Sequence, residues 1–206
     1  GEGTFKTPHG IWIDRRAEEP IVVVCDRAHH TLQTFTVDGV YLDTQTGFGL
    51  PANIDSYGDL LLVPELHARV TLLGRDNKVV AQLGEDVKRI TSEGGIRNDA
   101  SRWKAGKFVH PHDACFDKKG NMWFTDLGKT RSRDRDHGAV YWARPDGTEI
   151  IEVVQPITTP NGIGLSPDEK TLYVPETEGA RLYSFRIIGD GQVEKLPFPE
   201  SINGGK

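Results

Sequence analysis

The feature that most constrains the fold of this chain is an internal repeat. Four stretches begin with a proline and continue into a short apolar segment, namely PHGIWID (8–14), PANID (51–55), PHDACFD (111–117) and PNGIGLS (160–166). Their prolines are 43, 60 and 49 residues apart, which is a spacing typical of repeat proteins. The chain is therefore expected to fold as a series of similar units, each packed against the next.

Each repeat carries the same succession of patterns, which predicts four β-strands. A short first strand is followed by a polar turn and then by a strongly apolar second strand. The third strand alternates polar and apolar residues, and a tight turn such as Asp38-Gly39 leads into the fourth strand. Gly and Pro residues (23 and 12) recur at turn spacing, and no long helical apolar stripe appears, so helices are not expected.

A lone four-stranded unit cannot bury both of its faces, whereas units stacked around an axis can. We therefore predict an all-β fold, a β-propeller of four-stranded antiparallel blades with four blades encoded in this chain. Residues 1–206 are predicted to form a single domain. The blades are predicted at about 7–49, 50–109, 110–157 and 158–206.

Two longer segments, 87–110 and 127–138, interrupt the repeat and are predicted to be loops. Such loops often carry function, although solvated loops are an equally good interpretation. Asp134 and Asp136 in the second loop could mark a cation site, but the interleaved arginines favour a solvated loop.

An acid ends the second strand of every repeat. A residue type present in all copies is expected to be structural, here tying the strand end to nearby backbone or to Arg69 and Arg181. The four acids are Asp26, Glu65, Asp126 and Glu176.

Composition limits the partners and the location of the protein. The net charge is −5 and the pI about 5.8, so non-specific binding to nucleic acid is not expected. No apolar run is long enough for a membrane-spanning helix, and we expect no membrane partner. The chain is expected to be soluble, either cytoplasmic or a secreted mature form.

Cys25 and Cys115 lie in apolar runs of different repeats and are expected to be buried free thiols.

The residue after each leading proline is the first candidate for function, because the first strand of a propeller blade lines the central channel. These positions hold His9, His112 and Asn161, and the second repeat offers Asn53 one position later. We predict that these side chains converge and bind a divalent metal or a small polar ligand. Imidazoles favour zinc and amide oxygens favour calcium, so the mixed set leaves both metals open.

The sequence also resembles two known families. The first half resembles NHL-repeat propellers, through TPHGIWID, DLLLVPELHARVTLL and FVHPHDACFDKKGN. The second half is similar to the SMP-30/gluconolactonase (regucalcin) family, through GNMWFTD, GAVYWARPDG and TPNGIGLSPDEKTLYVPETEGARLYSF. The switch near 118–126 suggests a hybrid chain, natural or engineered. Both families usually have six blades, so the resemblance leaves open a four-bladed ring, a fragment, or a homo-oligomer that completes the ring.

The resemblance also implies roles for individual residues. In gluconolactonase-like proteins the asparagine of a Pro-Asn-Gly step is a metal ligand, which corresponds to Asn161. The asparagine of an Asn-Asp step corresponds to His112, and a substrate-binding arginine corresponds to His110; both are departures from the family pattern. NHL-type amidating lyases hold zinc with axial histidines, which His9 and His112 match. The blade that carries the family's aspartate base has no counterpart here.

Two functional hypotheses follow. The first is a divalent-metal-dependent, lactonase-like hydrolase in which Asp113 activates water and Asn53 and His110 bind a small-molecule substrate. The interpretation favoured for Asp113 itself is a strand-start residue that accepts hydrogen bonds from backbone amides. The alternative function is a non-catalytic NHL-type binding scaffold, or an engineered or recombined propeller without enzymatic activity.

Overall fold

The structure is a computed structural model that describes residues 3–84 and 109–196. These residues form sixteen β-strands, arranged in four antiparallel sheets of four strands each. The predicted all-β fold of four blades is therefore confirmed. No helix of the described residues has the length and apolar character needed to cross a membrane.

The strands of each blade follow one another in space as they do in sequence. Blade 1 contains β1 (Pro8–Asp14), β2 (Ile21–Asp26), β3 (Thr31–Thr36) and β4 (Tyr41–Gln45). Blade 2 contains β5 (Asp55–Tyr57), β6 (Leu60–Glu65), β7 (Arg69–Leu73) and β8 (Val79–Gly84). Blade 3 contains β9 (Pro111–Phe116), β10 (Met122–Asp126), β11 (Gly138–Ala143) and β12 (Ile150–Ile157). Blade 4 contains β13 (Gly164–Leu165), β14 (Thr171–Glu176), β15 (Arg181–Gly189) and β16 (Gln192–Val193).

The first strands of blades 2 and 4 are shorter than the repeat predicts. Near their leading prolines only isolated bridges form, Pro51 with Glu65 and Pro160 with Glu176. Of the two predicted loops, 87–110 lies almost wholly outside the described residues. In 127–138 the exposed Arg131 pairs with Asp134 and Asp136, as expected of a solvated loop.

Three clusters of buried apolar side chains lie between successive blades: between blades 1 and 2, blades 2 and 3, and blades 3 and 4. Trp123 and Trp142, from β10 and β11, are fully buried in the last of these. Cys25 is a buried free thiol as predicted, whereas Cys115 is free and half-buried. Each strand thus alternates between two faces, and each face packs on a neighbouring blade where one is present.

The outer faces of the two end blades remain open. Ile11 on blade 1 is 65% exposed, and Leu182 on blade 4 is 61% exposed. In blade 3 the position equivalent to Leu182 is Val140, which is fully buried against blade 4. Within residues 3–84 and 109–196 no buried cluster joins blade 4 to blade 1. Among the described residues, the outer faces of blades 1 and 4 are therefore not packed against each other.

The acid at the end of each second strand acts as a latch for its own blade. Its carboxylate accepts a hydrogen bond from the backbone N–H two positions before the leading proline, and it does so in all four blades. The pairs are Asp26 with Lys6, Glu65 with Gly49, Asp126 with Val109 and Glu176 with Thr158. The sequence-based expectation of a structural role is borne out by these bonds. Glu65 and Glu176 also bond Arg69 and Arg181, as predicted.

Replacing one latch acid should make the folded protein less stable. We predict that Glu65→Gln lowers the free energy of unfolding by about 3 to 5 kcal/mol, because it leaves the buried Arg69 guanidinium without its charge partner. Urea unfolding followed by circular dichroism measures this loss.

The matched control is Glu149→Gln, since Glu149 forms an exposed pair with Arg144 at 3.1 Å. Its cost should stay below about 1 kcal/mol. If both variants lose the same free energy of unfolding, the latch acid stabilises the protein no more than an exposed ion pair does.

Candidate functional site at the start of the first strands

The first strands of blades 1 and 3 bring two histidines into contact. The ring centroids of His9 and His112 are 5.1 Å apart, and the rings meet edge-on at 78°. The His9 ring donates its Nδ1 proton to the carbonyl oxygen of Ala52, at 2.6 Å. A carbonyl can only accept, so the neutral His9 ring carries its proton on Nδ1 and keeps a lone pair on Nε2. Two of the predicted ligands therefore lie side by side.

His112 is held in its neutral form by its surroundings. It is 7% exposed, and this burial is the main cause that lowers its pKa to about 4. Repulsion from His9, Arg27 and His110 lowers the pKa further. At neutral pH the ring therefore carries no charge, so one nitrogen lone pair remains for an ion or a hydrogen-bond donor.

The Asp113 carboxylate joins three blades. One oxygen accepts hydrogen bonds from the Asn53 side-chain amide of blade 2 and from the Ala114 N–H at 2.9 Å. The other oxygen accepts the Ile163 N–H of blade 4, also at 2.9 Å. Burial raises the pKa of this carboxyl, and the nearby Asp55 adds to the rise. Asp113 thus makes the backbone contacts of a strand-start residue and, in addition, fixes the orientation of Asn53.

Asn161 and His110 are held by other contacts. The Asn161 side chain donates to the Thr177 hydroxyl at 2.9 Å, and its backbone carbonyl accepts from the Thr125 hydroxyl at 2.7 Å. The His110 N–H donates to Asp126 at 2.8 Å, which makes this residue part of the blade 3 latch. The structure therefore groups His9 with His112 and Asn53 with Asp113, whereas the Asn161 side chain is bonded to the segment that follows β14.

The donors that meet here suit a nitrogen-binding ion better than calcium. His9 has a lone pair on Nε2 and a second nitrogen bonded to a carbonyl, which is the arrangement that metal-binding histidines adopt. Calcium needs six or more oxygen ligands, and both oxygens of Asp113 already accept protein N–H groups. No cluster of three or more His, Cys, Asp and Glu side chains suited to a metal is found among the described residues. The described residues therefore bring together one pair of imidazoles here, with no third side chain of this kind beside it.

Sequence reasoning missed the close approach of blades 1 and 2 at Gly10. A Cβ on Gly10 would lie 2.6 Å from the Asn53 Cα and 2.8 Å from its Oδ1. Only glycine leaves room for the Asn53 side chain at this point. The glycine of the Pro-His-Gly step was the available signal, since Gly162 occupies the same place in repeat 4. The Ala52 carbonyl that orients His9 left no signal in the sequence.

Comparison with known proteins now adds to the geometry. The profile of the SMP-30/Gluconolactonase/LRE-like region matches residues 11–198. The chain is 41% identical over 90 residues to Lactonase drp35 of Staphylococcus saprophyticus, and 39% identical over 90 residues to that of Staphylococcus haemolyticus. In both cases the match covers 44% of this chain and 27% of the relative. The matched segment thus spans about a quarter of these lactonases.

Solved structures share the fold over a wider range. A gluconolactonase from Xanthomonas campestris superposes with a TM-score of 0.69 at 21% identity, covering 93% of this chain and 62% of that protein. Regucalcin from Agrobacterium tumefaciens, described as a calcium-binding protein, superposes with a TM-score of 0.65 at 14% identity. That match covers 95% of this chain and 59% of regucalcin. At these identities the likeness concerns the fold alone.

The depressed pKa of His112 should make stability depend on pH. The folded state binds a proton less readily than the unfolded state, so the contribution of this residue falls as pH drops from about 6.5 to about 4. We predict a loss of about 3 kcal/mol from His112 over that range, and none of it in His112→Gln. Urea unfolding at several pH values measures both proteins.

His137→Gln is the control, because His137 is exposed in the 127–138 loop. That variant should follow the wild-type pH dependence. If His112→Gln also follows it, the histidine is not held neutral in the folded protein.

Proposed function

The chain belongs to the SMP-30/gluconolactonase/LRE-like family, and from this we propose that it is a lactonase-like hydrolase that opens small cyclic esters beside His9 and His112. The observation that carries the proposal is the family match over residues 11–198, which includes His112 and most of blade 1 and begins two residues after His9. The metal dependence, the substrate and the individual residue roles are parts of the proposal.

His9 and His112 would be the ligands of the divalent ion, with zinc preferred to calcium. His112 is kept neutral by its burial, and the bond of His9 Nδ1 to Ala52 leaves Nε2 as the ligand atom of that ring. When bound, such an ion polarises an ester carbonyl and lowers the pKa of a bound water. Asn161 remains a predicted ligand, although its side-chain amide donates to Thr177.

Asn53 would bind the substrate. Its amide N–H donates to Asp113, which leaves its Oδ1 as the acceptor for a substrate hydroxyl. The Gly10 backbone lies close to this oxygen, at a point where only glycine fits. His110 would contribute a second polar contact, because it lies close enough to His112 to lower the pKa of that ring.

Asp113 is proposed to position these groups and, when deprotonated, to accept a proton from water. Its two oxygens already accept three hydrogen bonds, which favour the charged carboxylate, while burial favours the neutral acid. The positioning role is supported by the bonds to blades 2 and 4. The catalytic role is supported only by its place next to His112.

The alternative remains a non-catalytic scaffold of the NHL type, or a recombined chain without activity. The family profile extends over both halves of the sequence, so the NHL resemblance and a hybrid origin stay predictions. A single experiment separates the alternatives.

We predict that the metal-depleted protein regains hydrolysis of D-glucono-1,5-lactone when zinc is added, and less so with calcium. His9→Gln should lower the rate at least 100-fold, as expected for loss of a group that holds the ion or moves a proton. A pH indicator follows acid release against the spontaneous reaction. His137→Gln is the control and should retain full activity.

If neither ion gives turnover above the spontaneous rate, the hydrolase proposal is wrong and the non-catalytic scaffold is favoured. If turnover is unaffected by chelation, the hydrolase proposal stands and the proposed metal dependence is wrong. Equal rates for His9→Gln and wild type would move the site elsewhere.

A homo-oligomer that completes the ring also stays a prediction, and the open faces of blades 1 and 4 support it. We expect light scattering to give a mass above that of one 22.9 kDa chain at micromolar concentration. Ile11→Lys or Leu182→Lys should restore the mass of one chain, because each puts a charge on an exposed apolar face. Val80→Lys, at an exposed position on β8, is the control. A single-chain mass for the wild type at every concentration would contradict the prediction.

A further inference from the structure

A second pair of histidines lies at the junction of blades 1 and 2, apart from the site described above. His30 directly precedes β3, and His67 lies in the loop between β6 and β7. Their ring centroids are 5.7 Å apart and the rings are inclined by 37°. His30 is exposed and His67 is half-buried, so the pair is open to solvent. The sequence places His30 in a turn, and only the fold brings it to His67.

The same connecting segment holds both loops in place. The Phe48 N–H donates to the His30 carbonyl at 3.3 Å, and the His67 N–H donates to the Gly49 carbonyl at 3.0 Å. The Gly49 N–H in turn donates to Glu65, the latch acid of blade 2. The backbones of the two histidines are therefore fixed relative to each other through one short stretch of chain.

Gly49 is also required for the position of the His67 ring. A Cβ on Gly49 would lie 2.7 Å from the His67 Cβ and 3.2 Å from its Nδ1. Any other residue would push the ring out of place, and with it the spacing to His30. The pair therefore depends on a specific local packing arrangement in addition to the two exposed side chains.

The spacing and chemistry suit one type of ligand. Two imidazoles on one tetrahedral ion, with metal–nitrogen bonds of about 2.0–2.1 Å, have ring centroids roughly 5 Å apart. A small rotation of the exposed His30 ring would close the difference. Imidazole nitrogen favours zinc, nickel and copper, and does not favour calcium. The neighbouring His29 is committed to the buried Asp26 at 2.6 Å and is not needed.

We propose that His30 and His67 form a surface site for a divalent transition-metal ion, with water in its remaining coordination positions, that clips blade 1 to blade 2. Two protein ligands make a labile site, in agreement with the absence of any three-ligand His, Cys, Asp and Glu group in residues 3–84 and 109–196. This site does not depend on the proposed hydrolase activity or on an ion at His9 and His112.

Equilibrium dialysis of the metal-depleted protein against Ni²⁺ tests the proposal. We expect His30→Ala and His67→Ala each to bind one ion fewer per chain than the wild type. The exposed His137 provides the control, His137→Ala, which should bind as the wild type does. In NMR spectra of the His9→Gln variant, Ni²⁺ should broaden the His30 and His67 ring signals at the lowest metal concentrations. It should also raise the melting temperature of the wild type by more than that of either variant.

Other outcomes overturn the site. Unchanged binding in either variant would show that the two histidines do not share an ion, since the proposal requires both. Ni²⁺ broadening of other histidines first would place the ion elsewhere. His9→Gln separates this test from the proposed function, because it removes only the ion at His9 and His112. If no ion binds at His9 and His112, the His9→Gln variant should bind as many ions as the wild type. The His30→Ala and His67→Ala variants should still bind one ion fewer.

Discussion

The structure depends on a hydrogen bond between a buried carboxylate and the backbone segment that leads into each blade. Where the chain passes from one blade to the next, its N–H groups have no strand partner, and the proline that follows has no N–H to give. An acid at the end of the second strand accepts from this segment in all four blades. The bond fixes where the first strand begins, and thereby where the residue after the proline lies.

The four latches share this bond but balance their charge differently. Glu65 and Glu176 bond arginines, Asp26 bonds His29, and Asp126 accepts only backbone N–H groups among the contacts described. Burial accordingly raises the pKa of Asp126, although its hydrogen bonds oppose the rise. All four blades thus keep the carboxylate in the same position as a hydrogen-bond acceptor. The side chain that pairs with the carboxylate differs from blade to blade, because the loops differ.

Much of the fold could be predicted from the sequence, because the repeat is local and its strands follow period-2 patterns. The structural role of the four acids could be predicted as well, since all copies carry one. The details of the site could not, because they arise where different blades meet. The Ala52 carbonyl that orients His9 is a backbone group with no sequence signal. The contact of His30 with His67 depends on how blades 1 and 2 are set against each other. The bond of the Asn161 side chain to Thr177 lies within blade 4, and it too has no signal in the sequence.

This dependence couples the site to the stacking of the blades. Asp113 lies on blade 3, yet its carboxylate holds Asn53 of blade 2 and the backbone of Ile163 on blade 4. A small rotation between any two of these blades would break one of its bonds and leave a buried carboxylate with fewer donors, which is costly. The same rotation would change the contact between His9 and His112, since their blades are separated by blade 2. A partner that packed on the exposed faces of blades 1 and 4 would therefore also influence the spacing of the groups at the start of the first strands.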